Sequence, residues 1–342
     1  MKLLHLFDEA SARKASDIHL ATGERPRIRV DGALVALEEP ALDRDTISEI
    51  LRSFLSADAI IRLEKGHAVE KSVAHNGLTF TAIAFRAGDD NAVVTFRILV
   101  KAVPSLAQIG DGALSFWQKV IDLPRGLVLV CGPVASGKWT TVCSLIEEIN
   151  ATKPARLFVI ERHPSYQFES KTGLVTQLHV GEDCGCFATA LQTIHQADLD
   201  VVALDDLPTA ETLRQALILA ETGHLVIANL HAETVQGALQ KLIDAAGSEA
   251  AALRRALARC LAAVTVQRLI SRTDRPGRVA AYEWIVSTPN VQQAILAGSL
   301  DRLGELQKTE PESRSIHQAL DDLVQSGLAS NTDVELHRAS IR

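Results

Sequence analysis

The stretch GPVASGK, residues 132–138, sets two glycines and a lysine at the spacing G-x-x-x-x-G-K. Such a loop turns its backbone N–H groups inward, where they cradle phosphate oxygens, and the N-terminus of a following helix adds a favourable field. Both neighbours are present: LVLVC (127–131) reads as a buried strand and WTTVCSLIEEIN (139–150) as a helix. The context points to a nucleoside-triphosphate P-loop with Gly132, Pro133, Val134, Ala135, Ser136 and Gly137 as its cradle. Lys138 then reaches the β- and γ-phosphates, and Thr140 the α-phosphate. The residue after the lysine normally gives a hydroxyl to Mg²⁺, but here it is Trp139. Either the indole turns away and water replaces the hydroxyl on the metal, or the ring fills the metal's place. Both weaken Mg-nucleotide binding.

An acidic element must hold the metal and orient the attacking water. DVVALDDLP (200–208) fits as an apolar strand ending in Asp205 and Asp206, the candidate Mg²⁺ ligands, with Asp206 also a candidate catalytic carboxylate. The competing reading is a surface turn, because strand ends often carry Asp. Cys184-Gly185-Cys186 has no partner spacing typical of a zinc or redox site and reads as a loop with two free thiols.

These residues need scaffolding. RLFVIE (156–161), DVVALDD (200–206) and HLVIANLH (224–231) join the P-loop strand as apolar runs separated by amphipathic stretches. That alternation implies an α/β fold with a parallel sheet covered on both faces. Residues 1–100 read differently, as a small α+β unit. RIRV-DG-ALVAL (27–37) and VEKSVAH-NG-LTFTAIAF (69–85) are hairpin patterns, and AVVTFRIL (92–99) a further strand. Asp45 is placed to cap a helix carrying Ile47, Ile50, Leu51, Phe54 and Leu55. Residues 101–115 read as a linker, 116–288 as the P-loop domain, and 289–342 as a helical C-terminal region.

The 342 residues, 47% hydrophobic and 23% charged, suit a multidomain globular protein. A net charge of −7 without a basic stripe opposes nucleic-acid binding, and no apolar run of membrane-spanning length occurs. Without a signal peptide the expected location is cytoplasmic.

From here the chain resembles the secretion-type ATPases, most closely the type IV pilus retraction (twitching-motility) ATPase family. ASDIHL (15–20) with RPRIRVDG (25–32), LPRGLVLVCGP (123–133), AETGHLVIANLHA (220–232), VTVQRLISR (264–272) and GRVAAYEWIVSTP (277–289) carry the resemblance over essentially the whole length. It implies a PAS-like N-terminal domain, a RecA-like ATPase domain, ATP and Mg²⁺ as ligands, and a ring of six subunits. It also implies an inner-membrane platform protein as partner, so the subunit would sit peripherally at the inner membrane. His224 and His231 match the family's histidine box, which reports nucleotide state to the ring; the alternative is two structural histidines at a strand's ends. Glu161 matches the surviving acid of the aspartate box, and Arg97 the remaining trans-acting arginine.

Several positions depart from the family pattern. Arg162 and Ser165 stand where acids are expected, and Asp206 where a Glu is expected. Gln192, Gln196, Gln292 and Thr81 stand at arginine positions, and GDDN (88–91) replaces an Arg-Gly loop. The losses gather at metal, catalytic carboxylate and trans-acting arginine. The expected function is therefore an ATP-binding subunit with impaired hydrolysis, in a homo-hexamer or in a mixed ring with an active paralogue. The alternatives are an active divergent motor using Glu161 to position water, and a scaffold that binds no nucleotide.

Overall fold

Asn76 and Gly77 both take positive φ, 47° and 71°, as a two-residue type I′ hairpin turn requires. In the computed structural model, which describes residues 3–30, 33–88, 91–99, 102–110, 112–275 and 277–339, that turn lies in the first of two units. The first comprises Met1–Ala102 with His163–Gln167, the second Val103–Arg162 with Phe168–Arg342.

The first unit is an antiparallel sheet with helices. Its elements are α1 (Leu3–Ala12), β1 (Asp17–Ala21), β2 (Arg27–Val30), β3 (Ala33–Ala36), α2 (Arg44–Phe54), α3 (Ala57–Glu64), β4 (Val69–His75), β5 (Leu78–Arg86) and β6 (Ala92–Ile98). The strand order is β3-β2-β1-β6-β5-β4. Alternate residues Ile18, Ile28, Phe80, Ala82, Val94 and Phe96 enter one core with Leu6 and Phe7 of α1. Phe7 stacks on Phe80 at 3.9 Å and meets Phe96 edge-on at 5.0 Å. The cap of α2 is Asp43 rather than Asp45: its carboxylate accepts from the Thr46 N–H at 2.8 Å, and Asp45 sits in the first turn. The turn residues Asp31 and Gly32 lie outside the described residues, as do Asp89 and Asp90 of the GDDN stretch.

The second unit is the expected RecA-like arrangement. It begins with α4 (Leu106–Ile109), α5 (Leu114–Ile121), β7 (Gly126–Cys131), α6 (Lys138–Thr152), β8 (Arg156–Glu161), β9 (Leu174–His179), α7 (Phe187–Ile194) and β10 (Val201–Leu204). It continues with α8 (Ala210–Glu221), β11 (Leu225–Leu230), α9 (Val235–Ala245), α10 (Ala250–Cys260), β12 (Leu261–Ser271) and β13 (Arg278–Val286). The helices α11 (Pro289–Ala297), α12 (Leu303–Thr309), α13 (Ile316–Gln325) and α14 (Asn331–Ala339) complete it. The sheet order is β13-β12-β7-β11-β10-β8-β9, parallel except for the β12–β13 pair. Every residue of β7 and β11 is buried, because helices cover both faces. Residues of α5 and α6 such as Trp117, Val142 and Ile146 fill one side. Residues of α7 to α10 such as Leu191, Leu217, Leu239 and Leu257 fill the other.

The linker expected over 101–115 is shorter than its composition suggests. From Val103 on, the chain belongs to the second unit, because Leu106 and Ala113 bury in the Trp117 cluster. The helical tail is likewise part of that unit: Ile316, Leu320 and Leu323 of α13 pack with Ile270 and Val279 of the β12–β13 pair.

Glu283 of β13 is 6% exposed, and burial pushes its carboxyl up to about 7 against the opposing charge of Arg268. A carboxyl whose folded pKa lies above its unfolded value favours folding most in acid. That advantage disappears as pH rises from about 4.5 to about 7. A Glu283→Gln protein is expected to match the parent near pH 4 and to exceed it by up to about 3 kcal/mol at pH 8, read by urea unfolding. An unchanged pH profile contradicts this.

Candidate functional site

Parallel register fixes where the chemistry-bearing residues gather. Cys131 of β7 lies opposite Leu230 of β11, and Ile160 of β8 opposite Leu204 of β10. Loop 132–137, Glu161, the Asp205-Asp206 pair and His231 therefore all emerge at the carboxyl edge of one sheet, the usual ligand edge of such folds. His224 precedes β11 and so lies at the opposite edge, about 20 Å of strand away from His231.

The loop is held tightly where it leaves β7. A Cβ on Gly132 (φ 151°) would stand 2.5 Å from both the Gln267 carbonyl oxygen and the Ser136 hydroxyl. Gly137, at φ 81°, opens α6 and approaches the Gln267 amide too closely for a Cβ, at 2.9 Å. The Gln267 side chain is pinned in turn by the Thr141 hydroxyl, which donates to it at 2.8 Å. The Ser136 hydroxyl is buried and makes no hydrogen bond among the described residues. The Lys138 ammonium folds back over the loop and donates to the Pro133 carbonyl at 2.7 Å. Burial pushes its pKa down, while Cys131 and Asp206 act in the other direction. Val134 and Ala135 form an exposed tip, and Arg278 Nη1 reaches the Ala135 carbonyl at 3.5 Å.

Trp139 does not turn to solvent. Its indole N–H donates to Glu161 Oε2 at 3.1 Å, and its ring packs on the Trp117 cluster. The Gln177 amide donates to Glu161 Oε1 at 2.9 Å. Glu161 is 0% exposed, so this carboxyl lies inside the protein rather than in a cleft. Asp205 Oδ2 accepts the backbone N–H of Arg162 at 2.6 Å, tying the end of β10 to the end of β8. Asp206 Oδ1 accepts the Leu207 N–H at 2.8 Å. The Arg162 guanidinium lies 5.6 Å over the Phe187 ring.

The remaining candidates separate. Lys138 and Asp206 both act electrostatically on His231, which stays beside the loop. His224 is bound locally: its Nδ1 is 3.0 Å from the Leu219 carbonyl oxygen, and its ring meets His195 edge-on at 5.9 Å. Arg97 and Thr81 belong to the first unit, paired across β5 and β6. Arg97 donates to Asp17 at 3.3 Å; the Thr81 hydroxyl is buried without a hydrogen bond among the described residues. Ser165 lies in the segment that groups with the first unit. Gln192 and Gln196 are exposed on and after α7, and Gln292 of α11 donates to Ser287 at 3.4 Å. Cys184 and Cys186 are both free thiols. The sequence reading missed Gln177, Gln267 and Arg278. The signal available for Gln267 was a polar pair, Gln267-Arg268, inside a mostly apolar strand.

The family described as type II/IV secretion system protein matches residues 2–325. The type IV pilus retractation ATPase PilT of Pseudomonas aeruginosa is 30% identical over 334 residues, 96% of this chain and 96% of that protein. A twitching motility protein of Neisseria gonorrhoeae is 31% identical over 307 residues, 89% of this chain and 81% of that one. The crystal structure of the pilus retraction motor PilT with bound ADP superposes with a TM-score of 0.87 at 30% identity, covering 98% of this chain and 96% of that one.

Removing one donor from a buried carboxyl leaves it short of a partner. Trp139→Phe and Gln177→Leu are each expected to destabilise the chain by about 1–3 kcal/mol, measured by urea unfolding. A loss smaller than about 0.5 kcal/mol in both would mean that neither bond holds Glu161 in solution.

Proposed function

Because the chain belongs to the type II/IV secretion system protein family and is similar to a pilus-retraction ATPase and a twitching motility protein, we propose that it is a P-loop subunit that binds ATP or ADP but hydrolyses ATP slowly or not at all. One observation carries the reading. The loop keeps Gly132 and Gly137 at positive φ with Lys138 folded over it, whereas Glu161, bonded to Trp139, is buried and occupied by two protein donors.

The residues present fit nucleotide phosphates. Gly132 and Gly137 let the loop lie against Gln267, where any Cβ would clash, and the backbone N–H groups of such a loop can meet phosphate oxygens. The Ser136 hydroxyl has a hydrogen bond to give, and the Lys138 ammonium exchanges the Pro133 carbonyl for a phosphate. A small cavity of about 150 Å³ beside the start of α6, lined by Gly137, Thr140, Gln267, Arg272 and Arg278, takes part of the nucleoside. Catalysis fares worse. A water molecule needs a carboxylate it can touch, and Glu161 offers no exposed surface. Asp206 remains half-exposed near Lys138, but one of its oxygens is spent on the Leu207 N–H.

The family resemblance supports assembly as a hexamer or as a mixed ring with an active paralogue, at the cytoplasmic face of a membrane machine whose platform protein is the partner. Among the described residues no helix is long and apolar enough to cross a membrane.

Phosphate release in Mg-ATP is expected to run at least about a hundredfold below 1 s⁻¹, the lower end of ordinary turnover. Calorimetry is expected to show ADP binding that Lys138→Ala abolishes. Clear Lys138-dependent turnover would establish an active divergent motor instead, and the absence of binding would leave a scaffold.

A further inference from the structure

We infer that the loop takes its nucleotide without a divalent metal, the Trp139 indole standing where the metal would stand. The inference rests on the nucleotide-binding reading above and adds the chemical form of the ligand.

Mg²⁺ demands oxygen ligands in near-octahedral array, ordinarily one or two carboxylates, retained waters and phosphate oxygens. The residues in place do not fit it. The position directly after Lys138 carries an indole, which has a donor and no oxygen. That N–H is aimed at Glu161 Oε2, 3.1 Å away, where a cation or its bound water would have to sit. The other Glu161 oxygen takes the Gln177 amide at 2.9 Å, and no part of the side chain reaches solvent. A cation arriving here must break the indole bond, push a ring out of the Trp117 cluster and lose its own waters beside apolar carbon. Asp205 is held through its Oδ2, which accepts the Arg162 N–H that links the two strand ends.

The neutral indole satisfies the carboxyl without adding charge. The phosphate charge then falls to the loop N–H groups, to Lys138, and to Arg278 at the loop's shoulder. Metal-free nucleotide carries the greater negative charge and is the better ligand for such a set. Mg²⁺ in solution competes with the protein for the nucleotide rather than assisting it.

Calorimetry of the full chain with ADP, once in excess Mg²⁺ and once in EDTA, decides the matter. The expected result is binding in EDTA at least as tight as in Mg²⁺. Trp139→Ser, which restores a hydroxyl and removes the ring, is expected to bind about tenfold tighter with Mg²⁺ than without, a difference of about 1.4 kcal/mol. If that variant does not fold, the native chain still answers. The Trp139 indole N–H resonance, in protein saturated with ADP, should stay in place when Mg²⁺ is added. Native binding that tightens tenfold or more with Mg²⁺ overturns this inference and leaves the nucleotide-binding reading standing. No binding in either buffer overturns both.

Discussion

A carboxyl group with no exposed surface must have its oxygens hydrogen-bonded inside the protein. Glu161 meets that requirement through the Trp139 indole and the Gln177 amide, and this pair of bonds constrains much of the site. It holds the second residue of α6, next to Lys138. It joins that helix to the end of β8, and Asp205 joins β8 to β10 through the Arg162 N–H. The carboxyl edge of the sheet is thus braced by hydrogen bonds that its acids accept from neighbouring donors. In a working metal site the same acids would be held open for a cation and water.

The loop itself is braced from the other side. Gln267 of β12 places its carbonyl against Gly132 and its amide against Gly137, and Thr141 anchors the amide. Phosphate cradle and acidic edge are therefore supported by different strands. One can be retained while the other is altered, because β12 lies on the far side of β7 from β10 and β8. That separation gives the proposed function a physical basis, in which the loop is kept while the acidic edge differs. The two histidines obey the same geometry. Only His231 is at the loop edge, while His224 closes a local turn at the other end of β11 and fits the structural alternative.

Much of this was legible in the sequence because local signals set it. Asn76-Gly77 fixes a hairpin whatever surrounds it, and the apolar runs at 126–131 and 225–230 could only be buried strands. Other features depend on contacts far apart in the chain. The Trp139–Glu161 bond spans 22 positions and a change of element, so composition left two orientations of the ring open. Gln177 sits on an edge strand of mixed character, LVTQLH, that no alternation marked out. Helix α4 looked like a linker because Pro104 and Gly110 flank it, yet Leu106 finds a core provided by α5 and α6. Asp43 took the cap from Asp45 because its φ and ψ, −76° and 173°, aim its carboxylate at the Thr46 N–H, a two-residue shift that periodicity cannot resolve.

The central claim is that an intact phosphate loop lies beside an acidic edge closed to metal. A crystal structure of the chain grown with ADP and Mn²⁺, with the metal located by its anomalous scattering, tests it most directly. The account predicts ADP phosphates on loop 132–138, the Trp139 indole still bonded to Glu161, and no anomalous peak beside Glu161, Asp205 or Asp206. A manganese ion bridging the phosphates to any of those three carboxylates, with the indole displaced, would contradict it.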